Sequence, residues 1–136
     1  MRKPIILCVE DRQNGFNGRE SLLKEHGYDV VTTSGRESLS LFEEVDVDGV
    51  ILDCRLQEET TGGGVAERMK QLRPDVPIMM LGAQDSVPPA TLHPADSFVP
   101  RSAPADQFVE AVHDMVAGGS PFFQRWLRNW KQRLLA

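Results

Sequence analysis

Cysteine is scarce in this chain: Cys8 and Cys54 are the only two in 136 residues. Two thiols so far apart build no disulfide framework and match no metal-finger spacing. Both lie in apolar runs, which reads as small buried residues in a reducing compartment. Long hydrophobic runs are also missing. None approaches the roughly 20 residues that span a bilayer, and the apolar stretch after Met1-Arg2-Lys3-Pro4 is too short for a secretion signal. The expectation is therefore a cytoplasmic protein. There are only three histidines, His26, His93 and His113, and they share no ligand spacing and suggest surface or helix-end roles. Gly62-Gly63-Gly64 lacks the Lys-Ser/Thr that must follow a nucleotide-binding glycine loop, so it reads as a mobile connection. Repeats and low-complexity tracts do not occur.

What is present suits one globular domain. At roughly 100–200 residues per domain the length allows one core. A composition 40% hydrophobic and 26% charged argues against disorder. The net charge of −5 is unevenly spread: −9 over residues 1–118 and +4 over 119–136. An acidic body argues against nucleic acid as a partner, and the basic tail needs its own explanation.

Short apolar runs alternate with helix-like segments. The runs are Pro4–Val9, Tyr28–Thr32, Gly49–Leu52, Val76–Leu81 and Ser97–Val99. The first, third and fourth are almost unbroken, as strands buried on both faces of a parallel sheet would be. The second and fifth are shorter or more polar, as edge strands would be. Gly27 suits a helix C-terminus after Leu22, Leu23 and His26. Ser34-Gly35-Arg36-Glu37 has a capping-box pattern ahead of Leu39, Phe42 and Val45. A third helix is expected from about Gly64, burying Val65, Met69 and Leu72 and stopping before Pro74. A fourth is expected from Pro104, with Phe108, Val112 and Met115 inward. Between Gly82 and Asp96, Pro88, Pro89 and Pro94 leave room for only a short or distorted element. Alternating strands and helices imply a doubly wound parallel sheet with right-handed crossovers.

In such a sheet ligands bind beyond the carboxyl ends of the strands. There the runs deliver Glu10 and Asp11, then Asp53, then Gly82-Ala83, then Arg101. Three carboxylates brought close together repel unless a positive charge sits among them. Oxygen-only donors without clustered His or Cys point to Mg²⁺. A carboxylate at the tip of a buried strand beside that metal can act as a nucleophile toward phosphorus, and the cation of Arg101 can pair with phosphoryl oxygens. Each residue has a plainer reading: Asp53 could cap a turn, and Arg101 could be a solvated surface side chain. The set, rather than any single member, carries the inference.

The ordered set Ile6-Leu7-Cys8-Val9-Glu10-Asp11, Val50-Ile51-Leu52-Asp53, Pro77-Ile78-Met79-Met80-Leu81 and Phe98-Val99-Pro100-Arg101-Ser102-Ala103-Pro104 resembles a bacterial response-regulator receiver domain, over about Lys3 to Val116. The resemblance implies a flavodoxin-like sheet of five parallel strands in the order 2-1-3-4-5 with helices on both faces. It implies Asp53 as phosphoacceptor, taking the phosphoryl group of a partner histidine kinase or phosphotransfer protein. It also implies that Mg²⁺ is held by Glu10, Asp11, Asp53 and the backbone carbonyl of Arg55.

Several positions depart from that family's pattern. Gly82 stands where the family carries a Thr or Ser that grips the phosphoryl group. Arg101 replaces its lysine, and a planar fork is not a compact ammonium. Phe98 takes the place of the switch aromatic without a hydroxyl. Gln57 replaces a common proline, ahead of the acidic and glycine-rich stretch Glu58-Glu59-Thr60-Thr61-Gly62-Gly63-Gly64. Phosphorylation remains chemically open, whereas the usual hydroxyl-to-aromatic coupling does not.

Two units are expected: a receiver over 1–118 and an amphipathic basic helix over 119–136. Ser120-Pro121 can start that helix. At helical spacing it places Phe122, Phe123, Trp126, Leu127, Trp130 and Leu134 on one face and Arg125, Arg128 and Lys131 on the other, while Arg133 falls within the apolar arc near the end. Packing on its own domain, or on a second copy in a homodimer, is favoured over a membrane surface or a docking peptide. It is too short for an output domain. The expected protein is an atypical, stand-alone response regulator, not an enzyme, that signals by contact with a downstream protein. The alternative is a phosphorylation-independent pseudo-receiver acting as an interaction scaffold. A hydrolase of the haloacid dehalogenase type is disfavoured because it needs a second Asp where Arg55 stands.

Overall fold

A computed structural model describes residues 3–10, 18–53, 62–82 and 95–118. The apolar runs become strands β1 (Ile5–Val9), β2 (Asp29–Thr33), β3 (Gly49–Asp53), β4 (Ile78–Gly82) and β5 (Ser97–Pro100). All neighbours pair in parallel, in the order β2-β1-β3-β4-β5. The three unbroken runs are the three inner strands. β3 and β4 are buried at every position, whereas β2, at an edge, is exposed or half-buried at four of its five. An inner strand must cover helices on both faces, so both of its side-chain sets are apolar.

The helices are α1 (Arg19–Glu25), α2 (Gly35–Glu44), α3 (Gly62–Leu72) and α4 (Ala105–Val116); α3 begins at Gly62, so Gly62-Gly63-Gly64 is the first turn of a helix and not the expected mobile connection. Side chains alternate across a strand, and this splits the core in two. On one face Ile6, Cys8, Ile51, Met79 and Val99 pack with Leu23 of α1 and with Phe108, Val112 and Met115 of α4. On the other, Leu7, Val9, Leu52, Met80 and Phe98 pack with Phe42 of α2 and with Val65 and Met69 of α3. Burial pushes the Cys8 thiol far up from its ordinary pKa, with nearby Glu10 and Glu20 adding to the effect, so it is an inert core residue.

Backbone chemistry sets the ends. Gly27 takes the left-handed conformation (φ 93°) that a side chain would strain. The amides of Gly27 and Tyr28 return to the carbonyls of Lys24 and Leu23, which closes α1 as a Schellman turn. Carboxylates start two of the inner strands: Asp48 accepts from the Ile5 amide and Asp96 from the Ile78 amide, each at 2.7 Å. Ser34 does precede α2, but it makes no side-chain cap bond, which corrects the expected capping box; burial of Ser38 and Phe42 on the inner face fixes that helix instead. The segments expected as a distorted connection (most of Gly82 to Asp96) and as a tail helix (119–136) lie outside the described residues. Among the described residues no helix is long and apolar enough to cross a membrane.

Candidate functional site

The strand order reverses between β1 and β3, and in such a sheet ligands bind beyond the carboxyl ends of the strands at that switch point. Asp53 is the last residue of β3 and is 1% exposed. Val9 pairs with Leu52, so Glu10, one step beyond β1, falls beside Asp53 at the next register position. Glu10 is half-buried, and its amide is fixed on the Thr33 carbonyl at 3.0 Å.

From the other side comes Arg101. Its amide donates to the Gly82 carbonyl at 2.7 Å, and a turn from Ala103 N–H to the Pro100 carbonyl bends the chain immediately after β5. Its guanidinium Nη2 forms an ion pair with Asp53 Oδ1. A buried carboxylate is costly to leave without such a partner. The plainer reading of Arg101 as a solvated surface residue therefore fails: its side chain is 13% exposed.

A second arginine stands nearby that the sequence reading did not single out. Arg19 opens α1, and its guanidinium donates to the main-chain carbonyl of Arg101 at 2.6 Å. Burial lowers its pKa from the ordinary arginine value, the charge of Arg101 lowers it further, and Asp53 opposes both. One signal could have found it. A helix that follows a strand in this topology begins at the carboxyl edge of the sheet, so a cation in its first turn is brought toward the strand ends.

Of the other expected residues, Gly82 stays at this edge beside Arg101, and Phe98 packs in the core. Gly82 is the buried last residue of β4, and its carbonyl is taken by Arg101. Phe98 is 1% exposed and packs on the α2/α3 face, opposite the face that carries Cys8 and Ile51. Asp11 and Arg55 lie outside the described residues. Among the described residues no group of three or more His, Cys, Asp or Glu side chains is gathered to hold a metal. Glu10 and Asp53 are nonetheless hard oxygen donors at adjacent strand ends, a donor set that fits a Mg²⁺ ion.

This is a doubly wound α/β protein with a buried, arginine-paired aspartate at its switch point. The sequence profile of the response regulator receiver domain matches residues 6–113, and the chain belongs to that family. It is 31% identical over 130 residues to the transcriptional regulatory protein GlrR of Escherichia coli (strain K12), covering 91% of this chain and 29% of that protein. It is 28% identical over 116 residues to the response regulator SaeR of Staphylococcus aureus (strain USA300), covering 82% of this chain and 50% of that one. The chain thus spans half or less of the length of these relatives. Among solved structures, TrrA of Thermotoga maritima in complex with Mg²⁺-BeF is 28% identical with a TM-score of 0.71, over 82% of this chain and 98% of that one. A receiver domain from Clostridium thermocellum shares the fold at TM-score 0.73 and 22% identity, over 84% of this chain and 94% of that one.

Proposed function

We propose that this receiver accepts a phosphoryl group on Asp53 from the phosphohistidine of a histidine kinase or phosphotransfer protein in the cytoplasm, and signals by contact with a downstream protein. The observation that carries this reading is the buried Asp53 carboxylate at the switch point, ion-paired to Arg101 and in register with Glu10. An Asp53 oxygen attacks phosphorus; an O–P bond forms as the N–P bond breaks, and the departing imidazole nitrogen keeps the electron pair. Once phosphorylated, Asp53 carries its negative charge on the phosphoryl oxygens rather than on the carboxylate, so the Arg101 fork turns from Asp53 to those oxygens. Glu10, Asp11, Asp53 and the Arg55 carbonyl are the groups that would hold Mg²⁺. When bound, Mg²⁺ supplies neutralisation of the gathered carboxylates and of the transferred oxygens. The phosphoryl acceptor is the protein's own aspartate, so the reading is of a signalling protein rather than an enzyme. In the same reading, residues 119–136 are a contact element outside the phosphorylation unit of residues 1–118, available to a second copy of the chain.

A second reading has its own support. Gly82 brings no hydroxyl to the site, and Arg101 already occupies Asp53 Oδ1, as would suit a phosphorylation-independent scaffold. Incubation with acetyl phosphate and Mg²⁺, followed by intact mass measurement, separates the two. The expected result is an increase of one phosphoryl group in the wild type and none in Asp53→Asn. An unmodified wild-type protein leaves the scaffold.

A further inference from the structure

The family pattern assigns one cation to this site, and the structure brings two. Arg19 reaches across the sheet edge from α1 to the carbonyl of Arg101, a link between residues 82 apart in sequence. Its guanidinium also lies over the ring of Phe108, 5.8 Å from the centroid. Phe108 is 1% exposed and fixed in the core, so Arg19 is braced on a rigid platform. A flexible surface arginine would swing away from a like-charged neighbour. Arg19 instead stays within electrostatic reach of both Arg101 and Asp53.

We propose that Arg19 is a positioning residue of the phosphorylation site: by clasping the Arg101 carbonyl from α1, it holds the Arg101 fork on Asp53 and aims it at the incoming phosphoryl oxygens. This rests on the reading of Asp53 as phosphoacceptor. A planar guanidinium fork recognises phosphoryl oxygens through directed, paired hydrogen bonds. It therefore needs a more exact anchor than a lysine, whose ammonium acts as a point charge. The turn after β5 supplies only part of that anchor, and the bond from Arg19 to the carbonyl of Arg101 supplies the rest. The molecule also contains its own control. On the opposite face Arg73 donates to the carbonyls of Val45 and Glu43, at 2.9 and 2.8 Å, and lies 5.3 Å from the centroid of the Phe42 ring. The chemistry is the same, but it is applied to a helix end rather than to the site.

The test uses the full chain and the variants Arg19→Met, which keeps the stem but has no donor, and Arg19→Lys, which keeps a donor and the charge. Thermal melts first establish that each is folded. Proton exchange with water at Nε of Arg101, assigned by the loss of its NMR signal in Arg101→Lys, reports whether the fork is held. Arg19→Met should speed that exchange and slow labelling by acetyl phosphate, each by about tenfold, the size expected for one lost charge-assisted hydrogen bond. Arg19→Lys should recover most of both, and Arg73→Met should change neither. The slowing should also vanish in an Arg101→Met background, because Arg19 acts through Arg101. A folded Arg19→Met protein with wild-type exchange and labelling overturns this inference alone, as does a slowing that persists without Arg101. A wild-type protein that takes no phosphoryl group overturns the phosphoacceptor reading and this inference together.

Discussion

The two faces of the sheet use the same device for different ends. On the α2/α3 face, Arg73 lies over Phe42 and ties the end of α2 to the end of α3. On the α1/α4 face, Arg19 lies over Phe108 and ties α1 to the turn that presents Arg101. In each case a guanidinium donates to main-chain carbonyl oxygen while lying within cation–π distance of a buried ring. The difference lies in what the carbonyl belongs to. Arg73 grips residues at the end of a helix, whereas Arg19 grips the residue whose side chain pairs with Asp53. Residue type and local chemistry do not decide whether an arginine is structural or belongs to a site; the strand end it reaches does.

The sharpest way to break this comparison is at Asp53 itself: Asp53→Asn should abolish phosphoryl labelling by mass while the protein still melts cooperatively. The next largest effects are at the two platforms. Phe42→Ala and Phe108→Ala should each cost about 3–5 kcal/mol in chemical denaturation, since both rings are fully buried. Of the two, only Phe108→Ala should also slow labelling of the protein that remains folded; equal slowing in both would erase the distinction between the faces. Arg73→Met should cost about 1–2 kcal/mol through its carbonyl bonds and leave labelling at the wild-type rate.

The smallest effect is expected at the edge of the α1/α4 face, where the Tyr28 hydroxyl bonds His113 Nδ1 at 2.7 Å. Burial pushes the phenol above its ordinary value of 10.0, and Asp114 adds to the rise. The unfolded chain therefore ionises this group first. Its contribution to stability is complete below about pH 10 and is lost as pH rises through the folded value. Tyr28→Phe should cost about 1 kcal/mol near neutrality and should flatten part of the alkaline decline in melting temperature. A decline identical to wild type would place its cause in other groups.

Much of this was legible in the sequence because it depends on near neighbours. The unbroken runs at Ile5–Val9, Val50–Leu52 and Ile78–Leu81 announce inner strands, because only a strand covered on both faces dispenses with alternation. Gly27, Pro104 and the spacing of Phe108, Val112 and Met115 announce helix limits and faces for equally local reasons. The four-residue pattern at Ser34 makes no cap bond, since so short a pattern competes with the packing of a whole helix face. Glu10, Asp53 and Arg101 were legible as a set because each directly ends or follows an apolar run. Arg19 was not, because its role depends on a carbonyl 82 residues away.

The chain's own pattern determined that strands and helices alternate, which residues face inward, and that acidic and basic side chains occupy strand ends. These follow from periodicity and from which side chains leave water. Tertiary structure alone decided that Arg101 rests on Asp53 rather than in solvent, that Phe98 belongs to the opposite face, and that Arg19 rather than Arg73 stands at the carboxyl edge of the sheet. Those outcomes depend on strand register and helix placement, which bring together groups with no relation in sequence. At that edge a buried carboxylate must find a cation, and the fold fixes which one it finds.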